Sequence, residues 1–207
     1  MSKNLDIDFL DAKQDRSKKT LGDLLQAAYQ IVEASDPNAF TSRTLADKAG
    51  YSKGTLTKRL GPVENVFLWA IAKGRDIKVN QTINDIAQFN SQLSVHDFIE
   101  AFVDKSFSHI NATTTKVMQF YDQRFTKTYG LTPDYFDWIN ALVDPYVELC
   151  ERNQTNTFRV ISKDEARFMF KAIHAIAERP FATNDPLAGT AEHRRIVIDA
   201  LTRLLAK

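Results

Sequence analysis

Cysteine, glycine, proline and net charge are all scarce in this chain. Of its 207 residues only Cys150 is a cysteine, so no internal disulfide forms and no cysteine-built metal site is expected. A reducing cytoplasm is the simplest compartment for such a chain. No apolar run approaches the roughly eighteen residues of a membrane span. The start, MSKNLDIDFLDAKQDRSKK, is broken by charge and carries no signal-peptide core. His96, His109, His174 and His193 do not pair at metal-ligand spacing, and neither a glycine-rich phosphate loop nor a nucleophile elbow occurs. No catalytic residue, metal, cofactor or membrane contact is therefore expected, and the reading is not that of an enzyme. The formal net charge of +1 gives no bulk case for binding nucleic acid.

What is abundant is helical periodicity. Seven glycines and six prolines fall mostly where helices should start or stop, and no alternating strand pattern or internal repeat persists. Leu21, Leu24, Leu25, Ala28, Ile31 and Val32 predict a first helix over about 18–34. Thr41 reads as the N-cap of a short second helix, with Phe40 and Leu45 at hydrophobic-staple spacing and Gly50 as its left-handed stop. Tyr51, Ser52 and Leu56 repeat that device and open a third helix over about 53–60. Pro62 should occupy the first position of a fourth.

After about residue 80 longer helices only are expected: 95–110 behind Ser94, 113–129 stopped by Gly130, and one opened by Thr132-Pro133 and kinked or restarted at Pro145. Two more follow, at about 163–178 behind a Ser162 capping box and 191–205 behind Thr190, with FATNDPLAGT as a loop between them.

Charge is distributed unevenly. Between Arg16 and Leu60 eight cations face four anions, an excess of four on a chain whose total is +1. That fits a small basic module joined to a mildly acidic remainder. Two short helices joined at a glycine and packed on a longer one form a helix-turn-helix. Ala46 and Ala49 permit close approach, Leu56 and Leu60 anchor the second short helix from below, and its other side stays polar.

The segment FTSRTLADKAGYSKGTLTKRLGPVENVFLWAI resembles the DNA-binding segment of TetR-type transcriptional regulators. Phe40, Thr41, Leu45, Ala46, Ala49, Gly50, Ser52, Gly54, Thr55, Leu56 and Glu64 carry the resemblance, which spans residues 18–71. Four positions depart from the family's pattern. Tyr51 replaces a small apolar residue, Leu60 a phenylalanine, and Thr57 and Val63 stand where the family has a tyrosine and a lysine that touch DNA phosphates.

Fold and function follow as expectations. The chain should be all-α, with an N-terminal arm over 1–17, a three-helix DNA-binding domain with a helix-turn-helix over 18–75, and a larger ligand-binding and dimerisation domain over 76–207. Lys53, Thr55 and Lys58 should face the groove, with Thr41, Ser52, Thr57 and Arg59 towards phosphates and Arg43 near the second helix start. The resemblance implies a homodimer through helices 163–178 and 191–205 on a near-palindromic double-stranded operator, and a repressor released by a small-molecule effector of unknown identity. Tyr121, Trp138 and Tyr146 are the ligand-contact candidates, each an aromatic with a polar tip. The alternative is a helical interaction protein of the same fold that has lost DNA binding.

Overall fold

Helices supply nearly all the regular structure of the described residues. The computed structural model describes residues 15–34, 36–108, 110, 112–130 and 137–207, with the backbone alone at 15–18, 59, 112–113 and 128–129. Most of the expected arm, residues 1–14, lies outside these, as does the helix start expected at Thr132-Pro133. The chain divides into two units: Met1–Ile77 with Lys116–Thr132, and Lys78–Thr115 with Pro133–Lys207.

The first unit is built on α1 (Asp15–Ala34), a 3-10 turn (Pro37–Ala39), α2 (Ser42–Ala49), α3 (Lys53–Leu60) and the first half of α4 (Val63–Gln88). All but the first turn of α6 (Ala112–Tyr129) completes it. α1 begins three residues before the expected Lys18, with an aspartate at the end where the helix dipole favours one. Its inward stripe of Leu24, Ala27, Ala28, Ile31 and Val32 is buried. Phe40 is the joint of the unit: its ring stacks on Phe67 of α4 at 4.6 Å and meets Phe120 of α6 edge-on at 5.2 Å. Ion pairs Lys116–Asp36 and Arg124–Glu64 and a hydrogen bond from Arg75 to the Tyr121 hydroxyl tie α6 to the same unit. The Asn38 N–H, and then Lys116, hold the Asp36 carboxyl below the usual aspartate range.

The second unit comprises the rest of α4 with α5 (Val95–Ser108), α7 (Asp137–Asn140), α8 (Val143–Arg152), α9 (Lys163–Ala177), α10 (Arg179–Ala182) and α11 (Ala191–Leu205). Phe98, Tyr146, Phe158 and Phe170 interlock at its centre. The Arg152 guanidinium donates to the carbonyls of Ile86, Ala87 and Phe89, which closes the end of α4. Ser94 and Asp97 form a reciprocal cap on α5, and the Ser94 hydroxyl and N–H hold the Asp97 carboxyl low.

Several expectations need correction. The chain after residue 80 is not longer helices only, because α7 and α10 have four residues each. Pro180 does not merely follow α9; it sits in the first turn of α10, so the expected loop begins only after Ala182. Pro145 lies in the first turn of α8, where its missing N–H has no intrahelical partner to lose. Pro62 stands just outside α4, whose first residue is Val63.

Candidate nucleic-acid interface

The turn between α2 and α3 is fixed by chemistry within a few residues of itself. The Thr41 hydroxyl accepts the Thr44 N–H at 3.1 Å and so caps α2. Gly50 ends that helix at φ 71°, a left-handed conformation that costs other residues energy, and its N–H reaches back to Ala46 and Asp47 carbonyls. Two residues on, the Ser52 hydroxyl accepts the Thr55 N–H at 3.2 Å and starts α3. Leu45, Leu56 and Leu60 lie almost wholly inside the core. Burying Leu56 and Leu60, four apart, turns the opposite side of α3 outward.

Gly54, Thr57 and Lys58 are exposed around that side, Lys53 is exposed at the helix start, and Thr55 is half-buried. The expected DNA-contacting residues therefore occupy one connected stretch, with distinct local duties. Ser52 and Thr41 spend a lone pair on capping, and Thr55 shares a hydrogen bond with Ser52. The Arg43 guanidinium is 81% exposed and stands 3.9 Å from Asp47, a loose surface pair. Arg59 continues the helix, and its side chain lies outside the described residues.

The four departures each have a local reason. Thr57 turns its hydroxyl back to the Lys53 carbonyl at 3.2 Å, so it serves the helix rather than reaching outward. Val63 is half-buried against the hydrophobic core at the start of α4, a place for a methyl group rather than an ammonium. Leu60 fills the core position under α3. Tyr51 packs against the same core and donates its hydroxyl to Asp23 Oδ2 of α1 at 2.7 Å. That last bond joins residues 28 apart in sequence, and no short-range pattern signals it.

Tyr121 belongs to the first unit and Trp138 and Tyr146 to the second. Tyr146 is wholly buried in the aromatic centre beside Cys150, and desolvation raises the pKa of both above the usual range. Burial likewise raises Tyr121, with Arg75 opposing it. Trp138 lines a cleft in the second unit with Phe102, Phe170, His174 and Glu178. Its cavity of about 30 Å³ has room for a water molecule. Among the described residues no group of three or more His, Cys, Asp or Glu side chains is arranged to hold a metal ion. No described helix is long and apolar enough to cross a membrane.

On α9 and α11, Ala166, Met169, Phe170, Ile173 and Ala177, and Val197, Leu201 and Leu205, are buried within their own unit. What remains outside is Phe168, 66% exposed, and Ile196, 38% exposed, with Val160 beside the start of α9 at 72%. Ala172 and Ala175, also exposed, leave the outer face of α9 low enough for another helix to lie on it.

Among solved structures, a protein from Shewanella sp. PV-4 provisionally named a tetR family transcription regulator matches 91% of this chain with 98% of its own, at a TM-score of 0.50 and 16% identity. The two chains share a fold. No family model matches the sequence, and no curated protein matches it.

Proposed function

We propose that the chain is a homodimeric transcriptional regulator that puts α3 into the DNA major groove, as a repressor released by a small molecule. The observation that carries this reading is the outward side of α3. It presents Lys53 and Lys58 around an exposed helical glycine, Gly54, that no internal packing requires, since an added Cβ would meet only the Ser52 hydroxyl at 3.8 Å. A missing side chain on a cationic helix face suits a partner whose surface comes close to the backbone. Lys53, Thr55 and Lys58 take the groove, and Thr41, Ser52 and Arg59 the flanking phosphates, joined by Thr57 once its hydroxyl turns away from the Lys53 carbonyl, with Arg43 beside α2. The DNA-binding domain spans about 18–75 and the ligand-binding and dimerisation domain about 76–207.

The uncovered apolar side chains of α9 and α11 suit a second copy, with both helices pairing with their equivalents across a two-fold axis. Two α3 helices then meet successive major grooves of a near-palindromic site. The effector enters the cleft beside Trp138. Drug-sized ligands need roughly 300–1,000 Å³, so occupancy requires α7 to part from α9. A ligand that binds the parted form more tightly shifts the dimer away from its DNA-compatible spacing.

Genomic selection tests the reading: purified protein is mixed with sheared DNA from its source, and retained fragments are sequenced. Enrichment of fragments sharing an inverted repeat is expected. The tied-back Thr57 and the packed Val63 favour a second reading, an interaction protein that no longer binds DNA. Failure to retain any duplex even at low salt would support that reading instead.

A further inference from the structure

We infer that Tyr51 and Asp23 act together as a strut that sets the pose of α3 for reading bases, an inference that rests on the DNA-binding reading above. Two different supports hold α3. Its inner side rests on Leu56 and Leu60, which fix its depth by burial. Its N-terminal end, which leads into the groove in a helix-turn-helix, follows directly from Tyr51. The Tyr51 ring packs on the core of the first unit, its N–H donates to the Ala46 carbonyl at 3.0 Å, and its hydroxyl donates to Asp23 Oδ2 at 2.7 Å. One residue thus connects α1, the end of α2 and the cap of α3. A small apolar residue at position 51 makes the backbone bond alone.

The strut also directs a carboxylate. Asp23 is an exposed anion in the unit that meets DNA, and Tyr51 occupies one of its oxygens with a hydrogen bond to a charged acceptor, a strong class of bond. Base contacts demand more accurate placement than phosphate contacts. A base-edge contact fails within about half an ångström, whereas general attraction to the phosphates follows charge and varies only over the screening length of about 10 Å. Loosening the end of α3 therefore weakens sequence discrimination and leaves general DNA affinity in place.

The test measures affinity by fluorescence anisotropy for a duplex recovered by genomic selection and for a random duplex of equal length. Full-length wild type, Tyr51→Phe, Asp23→Ala and the double variant are compared. The quantity read is the ratio of the two affinities, which any loss of folded protein leaves unchanged because it scales both. Tyr51→Phe keeps the packing ring and removes the hydroxyl. It should lower the ratio about fivefold, the size of one net hydrogen bond, with the random duplex and the salt slope unaltered. Asp23→Ala should tighten the random duplex by removing an anion and lower the ratio by the same factor, and the double variant should lower it no further. An unchanged ratio in Tyr51→Phe overturns the strut. Equal weakening on both duplexes also overturns it, because the hydroxyl would then be a phosphate ligand. A wild type that binds neither duplex overturns the DNA-binding reading itself.

Discussion

An added methyl group at position 54 has open space on the fold's side and, on the proposed reading, a DNA groove on the other. Gly54→Ala should therefore move two measurements in opposite directions. Denaturant unfolding should show a gain of about 0.5 kcal/mol, since alanine restricts the unfolded chain and suits a helix. Anisotropy titration should show weaker DNA binding. A variant that gains stability and keeps full affinity would put α3 elsewhere than in the groove. The tied-back hydroxyl of Thr57 and the packed methyls of Val63 make a second residue-scale prediction. Thr57→Tyr with Val63→Lys adds two phosphate-reaching groups, and the lysine stem keeps some of the lost packing. Binding should tighten at low salt, and the salt dependence should steepen by about one ion released per new contact. Tighter binding without a steeper slope would mean that the new groups do not touch phosphates.

At the scale of elements, Phe40 joins three helices that are distant in sequence: it precedes α2, stacks on Phe67 of α4 and meets Phe120 of α6. Phe40→Ala should destabilise the first unit by about 3 kcal/mol, read from the urea midpoint at unchanged slope. A loss under about 1 kcal/mol would show that the site collapses around the gap or that α6 contributes little there. The ends of α2 and α3 were legible in the sequence because their determinants are local. Thr41, Gly50 and Ser52 each satisfy a backbone group no more than four residues away. Elements set by distant partners were not legible. The one-turn helices α7 and α10 are too short to carry a periodicity. The role of His193 was equally hidden: buried at 4% exposure, its ring accepts the Gly189 N–H and meets the Ile176 carbonyl, a bridge between the loop and α9. The Tyr51–Asp23 bond and the Phe40–Phe120 contact belong to the same class. In the candidate site, the cationic side of α3 could be read from spacing alone, whereas which hydroxyls are already engaged required coordinates.

For the whole molecule, the proposed function depends on two copies held at the pitch of DNA. Phe168→Glu combined with Ile196→Glu puts charge on the uncovered side chains of α9 and α11 and leaves the buried stripes untouched. Sedimentation should show a dimer for the wild type and a monomer for the double variant, with the same helical content. A wild type that sediments as a monomer at high concentration, or a variant that stays dimeric, would place the interface elsewhere or remove it. The most direct measurement of the central proposal is an anisotropy titration of a genomically selected duplex with wild type and with Lys53→Ala/Lys58→Ala. The account predicts salt-sensitive binding by the wild type and its loss in the variant, with sedimentation and helical content unchanged. Equal binding by both proteins would contradict it.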